Sequence, residues 1–244
     1  MSGHSHFATI KHKKEATDKK RGQVFSKLAR AISLAIREGG KNPETNYKLR
    51  MAIEDARSFN MPRDNIDRAV QRGAGEVSGE NLEEVLFEAF GPFGIAIIIE
   101  GITDNKNRTI GEIKQILNQR NGKLAGEGSV KWLFNKKGII IISFDNLSPI
   151  FKNRGDLELF VIEAGAEDFY WHDNLLELYT KPDELEKIKN KIEEKNIKID
   201  SASLDWVAKE MVNLNEEQKE ECLKLFEDLD ENDAVQEVYS NIKI

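Results

Sequence analysis

The 244-residue chain is predicted to fold as an α+β protein of several domains, and three observations lead there. Apolar residues recur at helical spacing as far as about residue 73 and at strand spacing soon afterwards. From Gly138 onward the order strand, helix, strand, strand, helix, strand can be traced. Charge divides where the period first changes: residues 1–75 carry 16 Lys or Arg and 8 Asp or Glu, net +8, which leaves 20 and 35, net −15, for the remainder. A net charge of −7 for the whole chain conceals this split.

The first helix is expected from Asp18 to Glu38, with Val24, Phe25, Leu28, Ile32, Ala35 and Ile36 on one arc and Gly39-Gly40 as its stop. Lys19, Lys20, Lys27, Arg30 and Arg37 fall on the opposite arc, and only Arg21 breaks the pattern. Asn42-Pro43-Glu44 predicts the start of a second helix: a capping side chain, a preset φ and an acid at the positive end of the dipole. This helix turns Leu49, Ala52, Ile53 and Ala56 inward and runs to about Phe59. A third begins at Pro62, buries Ile66, Ala69 and Val70, and stops at Gly73, with Arg63, Arg68 and Arg72 outside. Three helices with short connections make a bundle over residues 1–78.

After the linker AGEVSGEN the strands Val85–Phe90 and Ile95–Glu100 flank a Gly91-Pro92-Phe93-Gly94 turn, which predicts a hairpin. A helix with Ile110, Ile113, Ile116 and Leu117 on one side follows, then a glycine-spaced loop over 122–128, then Ser129–Phe134 as a strand or short connection. Ile139–Phe144, the helix of Leu157, Phe160, Val161 and Ala164, Glu167–His172, Leu175–Thr180, the helix 182–195 and Ile197–Val207 give the ferredoxin-like order. That unit is assigned to residues 137–207. The acidic helix Asn215–Leu229, with Leu223, Phe226 and Leu229 inward, and the strand Val235–Tyr239 cannot bury their own apolar faces. They are expected to pack back on the earlier hairpin, so residues 79–136 and 208–244 form one discontinuous α/β domain.

Clustered cations attract a polyanion, because released counterions raise the entropy and the local field speeds encounter. Lys11, Lys13, Lys14, Lys19, Lys20, Arg21, Lys27 and Arg30, with Arg63, Arg68 and Arg72 on the third helix, are therefore the candidate nucleic-acid contacts. The acidic remainder would repel the same ligand. Phosphate contact is better supported than base stacking, since aromatic residues beyond Phe7 and Phe25 do not alternate with the basic ones.

Other chemistry is weakly marked. His4, His6 and His12 lack the Cys or carboxylate partners that a zinc site needs, so no metal is expected. The 122–128 loop lacks the GK[ST] ending of a phosphate loop. Cys222, the single cysteine, reads as a structural thiol and fits a reducing compartment. His172 beside Asp173 is explained by surface exposure at a hairpin tip, and Asp104 and Arg108 by capping and an ion pair. No catalytic constellation, cofactor motif or small-molecule substrate is indicated. The apolar runs are far shorter than the roughly twenty residues of a membrane span, and the start MSGHSHFATIKHKK has no apolar signal segment; a soluble, cytoplasmic protein with no membrane contact is expected.

The segments GHSHFATIKHKK, KRGQVFSKL, NPETNYKLRMAI, NMPRDNIDRA, TDNKNRT, GSVKWLF and VQEVYSN, in that order, resemble the YebC/PmpR family, to which the mitochondrial translational activator of cytochrome c oxidase subunit I also belongs. The resemblance spans nearly the whole chain. It implies three domains, the first all-helical, and a regulator with no enzymatic activity. Bacterial members are described as DNA-binding regulators of transcription, whereas others associate with the ribosome and help translation through proline-rich stretches. The implied partner is accordingly DNA, or ribosomal or messenger RNA on the ribosome; a protein–protein adaptor acting through its acidic domains is a third reading. This chain departs from the family pattern at His6 and Phe7, where Lys and Trp are usual, and at Phe93, where Gly is usual.

Overall fold

The computed structural model describes residues 18–77, 81–144, 151 and 153–243. They divide into two compact units, one of residues 134–207 and the other of the residues before and after that stretch. Seven α-helices and two four-stranded sheets are present among the described residues.

The second of these units opens with helices α1 (Asp18–Gly39), α2 (Tyr47–Ser58) and α3 (Arg63–Gly73). Ile32, Ala35, Ile36, Leu49, Ala52, Ala56, Met61, Ile66 and Ala69 form their common core. Many of these are alanines, so the helix axes can approach closely. α3 comes close to α1 at Gly73, where a Cβ would stand 2.5 Å from the carbonyl oxygen of Ser33. Gly40, at φ +83°, ends α1 in the left-handed region that favours glycine.

The start of α2 differs from the sequence expectation. Asn42 closes only a turn, its Oδ1 accepting from the Glu44 amide at 3.0 Å. The helix begins four residues later, where Asn46 Oδ1 accepts from the Leu49 amide at 3.1 Å. The Asn46 Nδ2 also donates to the carbonyls of Ala35 and Gly40 at 2.7 and 2.8 Å, so the buried amide that caps α2 also satisfies the end of α1. Asn46 can serve both ends at once; Asn42 cannot.

The same unit continues with β1 (Glu83–Phe90), β2 (Ala96–Thr103), α4 (Lys106–Gln119) and the two-residue β3 (Lys123–Leu124). It is completed by α7 (Glu216–Asp230) and β8 (Val235–Ser240). Its sheet has the order β3-β1-β2-β8, with antiparallel pairs throughout. Val85, Phe87, Ala89, Ile97 and Ile99 alternate onto one face and pack with Ile113 and Leu117 of α4 and with Cys222, Leu225 and Leu229 of α7. The returning helix and strand thus join the hairpin, as their unpaired apolar faces require. On α7 Leu229 is buried and Phe226 packs against the core as expected, whereas Cys222 and Leu225, not Leu223, complete the buried stripe. Asn215 and Gln218 close a capping box at its start, each side chain accepting from the other's backbone amide. The hairpin turn is wider than two residues, and Phe93 holds φ 59° within it, in the left-handed region that favours glycine. Ser129–Phe134 is a connection containing a 3-10 turn at Lys131–Leu133.

The unit of residues 134–207 comprises β4 (Phe134–Ser143), α5 (Arg154–Ala164), β5 (Asp168–His172), β6 (Leu175–Thr180), α6 (Leu185–Glu194) and β7 (Ser201–Ala208). Its strand order β5-β6-β4-β7 is the ferredoxin-like one. Ile140, Ile142, Leu157, Val161, Leu176, Leu178, Ile188 and Ile192 are fully or almost fully buried in it. Asp173 turns the β5–β6 hairpin at φ 52°. His172 beside it is not simply exposed: its Nε2 lies 2.9 Å from Oε2 of the buried Glu177.

Candidate nucleic-acid interface

The candidate contacts do not share one environment. Lys11, Lys13 and Lys14 lie outside the described residues, as do the side chains of Lys19 and Lys20. His4, His6 and His12 lie outside them as well. On α1, Arg21 is exposed, Arg30 is half-buried and Lys27 is 8% exposed. The Lys27 ammonium donates to the carbonyl of Asp230 at 2.5 Å and to its Oδ1 at 2.8 Å. Arg30 Nη1 donates to the carbonyl of Asp233 at 2.8 Å, and Gln23 Nε2 reaches the carbonyl of Glu231 at 3.5 Å.

For Lys27 and Arg30 this corrects the expectation that α1 turns its cations to solvent; Arg21 and Arg37 are exposed. Residues 23, 27 and 30 form a single helical stripe that receives the end of α7 and the turn after it. The carbonyls at a helix C-terminus carry partial negative charge, so an ammonium is well placed there. The signal was in the sequence: the run Glu227-Asp228-Leu229-Asp230-Glu231-Asn232-Asp233 is acidic enough to meet a basic stripe. Its position in space was not.

The α3 arginines are different. Arg63 leaves 92% of its side chain exposed, with Asp67 3.8 Å away, and Arg68 and Arg72 are exposed one turn apart. Arg68 bonds only within its own helix, to the Asp64 carbonyl at 3.2 Å and to Asn65. All three side chains are exposed to solvent, the partners of Arg63 and Arg68 lie within α3 itself, and guanidinium groups suit phosphate.

The helices are also tied to the start of β1. Lys48 bridges Glu38 of α1 and Glu84 at 2.7 and 3.0 Å. Burial works to lower the Lys48 pKa, but the bonds to Glu38 and Glu84 outweigh it and raise the value.

An open cleft of about 440 Å³ lies among α1, the start of α4 and the 231–234 turn, lined among others by Arg30, Arg108, Glu112 and Asp233. Arg108 is engaged there by Asp104 and Glu112, and the Asn105 side chain caps α4 by accepting from the Arg108 amide at 3.1 Å. These contacts account for the TDNKNRT segment through capping and pairing. Among the described residues no group of three or more His, Cys, Asp or Glu side chains could hold a metal, and no helix is long and apolar enough to cross a membrane.

A basic helical module, a split α/β domain and an inserted ferredoxin-like domain define the class: an α+β protein whose exposed guanidinium groups gather on its leading helices. The chain belongs to the TACO1/YebC family. Residues 5–76 match the family's N-terminal domain and residues 82–242 its second and third domains. It is 47% identical over 244 residues to a "Probable transcriptional regulatory protein" of Thermoanaerobacter pseudethanolicus, covering 100% of this chain and 98% of that one. A protein of the same description from Caldanaerobacter subterraneus is 46% identical, covering 100% and 99%. Among solved structures, a conserved hypothetical protein of Aquifex aeolicus is similar with a TM-score of 0.83 and 39% identity, over 93% of this chain and 92% of that one.

Proposed function

We propose that the protein is a non-enzymatic, cytoplasmic regulator of transcription that binds duplex DNA through phosphate contacts made by its helical module. The row of exposed arginines on α3, Arg63, Arg68 and Arg72, carries this reading, inside a segment of net charge +8. Arg21 and the arm residues Lys11, Lys13, Lys14, Lys19 and Lys20 extend the same charge. Lys27 and Arg30 leave the contact set, because their donors serve the 230–233 segment. The names of the relatives support a regulatory role of this kind.

The test is duplex binding measured as a function of salt. Replacing Arg63, Arg68 and Arg72 together by Ala should weaken binding and flatten the plot of log K against log salt by about 0.9 per lost contact. Unchanged affinity and slope would remove α3 from the interface.

A second reading, a translation factor whose arm touches ribosomal RNA, is favoured by the net −15 of residues 76–244, which extended duplex DNA would repel. Co-sedimentation with ribosomes at physiological salt, lost in the same triple variant, supports that reading; absence from ribosomal fractions during active translation excludes it.

A further inference from the structure

The connection from β3 to β4 holds an indole ring in the open. Trp132 is 63% exposed, although Trp is on average among the more buried side chains. The backbone beneath it is nonetheless held firmly. Glu88 of β1, itself 3% exposed, accepts from the amides of Gly128 and Val130 at 2.6 Å and of Lys131 at 2.8 Å. The Trp132 Nε1–H donates to the Ser129 carbonyl at 3.0 Å, and Lys209 Nζ donates to the Trp132 carbonyl at 2.7 Å. A rigid aromatic side chain loses little conformational entropy when a ligand covers it.

A second exposed aromatic side chain, Phe90, leaves β1 on the side where Glu88 holds this loop. Side chains alternate along a strand, so Glu88 and Phe90 leave β1 on one side, and the loop that Glu88 holds must lie on that side too. Phe90 is 40% exposed and stands directly opposite Lys123 of β3 in the strand register. Lys131 neighbours Trp132 in the 3-10 turn. The exposed carboxylate of this loop is Glu127; that of Glu88 is taken up by three backbone donors. Aromatic faces bordered by lysines suit bases joined by phosphates, since every base has a π-face and every linkage a negative charge.

We propose that Phe90 and Trp132, bordered by Lys123, Lys131 and Lys209, form a stacking platform for the bases of a single-stranded nucleic acid. This platform lies on the sheet domain, apart from the phosphate contacts assigned to α3. It takes the faces of unpaired bases, whereas the contacts assigned to α3 are to phosphates.

The full-length chain is titrated into fluorescein-labelled dT12 and U12, with anisotropy as the readout and a duplex measured in parallel. Trp132→Ala should weaken single-strand binding about 5- to 100-fold, while Trp132→Phe stays within about three-fold, because a phenyl face still stacks. Duplex binding should change little in either variant. A 5-bromouracil oligonucleotide irradiated on the wild-type protein should cross-link to the peptide containing Trp132. Preference for U12 over dT12 would assign the platform to RNA and the reverse preference to DNA. Wild-type single-strand affinity in a folded Trp132→Ala variant, or cross-links that map only to other peptides, would overturn the platform, including in favour of a protein partner at the same aromatic pair. Because the duplex arm is read separately, that failure would leave the α3 interface standing.

Discussion

Lys27 and Asp230, 203 positions apart, meet where the ammonium donates to the Asp230 carbonyl at 2.5 Å and to its Oδ1 at 2.8 Å. The two ends of this contact are unequal: the Lys27 side chain is 10% exposed and that of Asp230 59%. The buried partner matters more to folding, because an unmatched polar group costs most where water is absent. The contact also explains why an apparently cationic helix face presents less charge to solvent than its composition suggests.

Lys27→Ala removes both bonds and leaves the last carbonyl of α7 without its ammonium, so a loss of about 1–3 kcal/mol is expected. Asp230→Ala keeps the carbonyl bond and removes only a solvent-screened carboxylate, for which about 0–1 kcal/mol is expected. Urea midpoints at constant m-value measure both. The reverse ranking would show that the carboxylate, not the helix terminus, holds α1 in place.

At Gly73 an added Cβ would lie 2.5 Å from the Ser33 carbonyl oxygen and 2.8 Å from the Ser33 Cα, both backbone atoms that cannot rotate away. Gly73→Ala should destabilise the helical module by about 1–3 kcal/mol through overpacking. Gly22→Ala, where nothing lies within 4 Å, serves as the control and should not destabilise, since alanine is the better helix former. Thermal unfolding of the two variants gives the comparison.

Burial works to raise the Glu88 pKa, yet the Val130, Gly128 and Lys131 amides together outweigh it and hold the value below the ordinary 4.5. A depressed carboxylate stabilises the fold above its unfolded pKa, and that contribution is lost as pH falls through the folded value. The 128–132 loop should therefore stay fixed at neutral pH and loosen only in acid below about 4.5, followed by Trp132 emission against a Trp132→Phe control. Glu88→Gln should loosen it at pH 7 as well, because an amide supplies one acceptor oxygen where the carboxylate supplies two.

Burial, with a smaller contribution from Glu221, pushes the Cys222 thiol from 9.0 up to about 11. It is 0% exposed and packed in the core with Leu225 and Leu229. At pH 8 it should resist a disulfide reagent until the protein is unfolded in urea, then react fully. The raised value favours the folded state below pH 9, an advantage that fades as pH rises toward 11. Rapid labelling of the native protein would contradict a structural role.

Much of the architecture was legible along the chain, since it rests on local periodicity. The shift from helical to strand spacing near residue 81 and the strand order implied after Gly138 both follow from which neighbours in sequence share a face. The isolated α7 and β8 also announced their destination, having no apolar surface of their own on which to close. Local rules misplaced the start of α2, where Asn42 and Asn46 are equally good caps in sequence. The latter prevails because only it reaches the carbonyls at the end of α1.

The candidate interface divides in the same way. Sequence alone determined that positive charge is concentrated in the first 75 residues and that α3 turns Arg63, Arg68 and Arg72 outward, because one helical period decides each side chain's direction. Only the tertiary structure decided that Lys27 and Arg30 face the end of α7 while Trp132 is left in the open. Those outcomes depend on residues as distant as 203 positions along the chain. A helical stripe specifies the direction in which a charge points, and chain folding specifies whether water, a carbonyl or a ligand waits there.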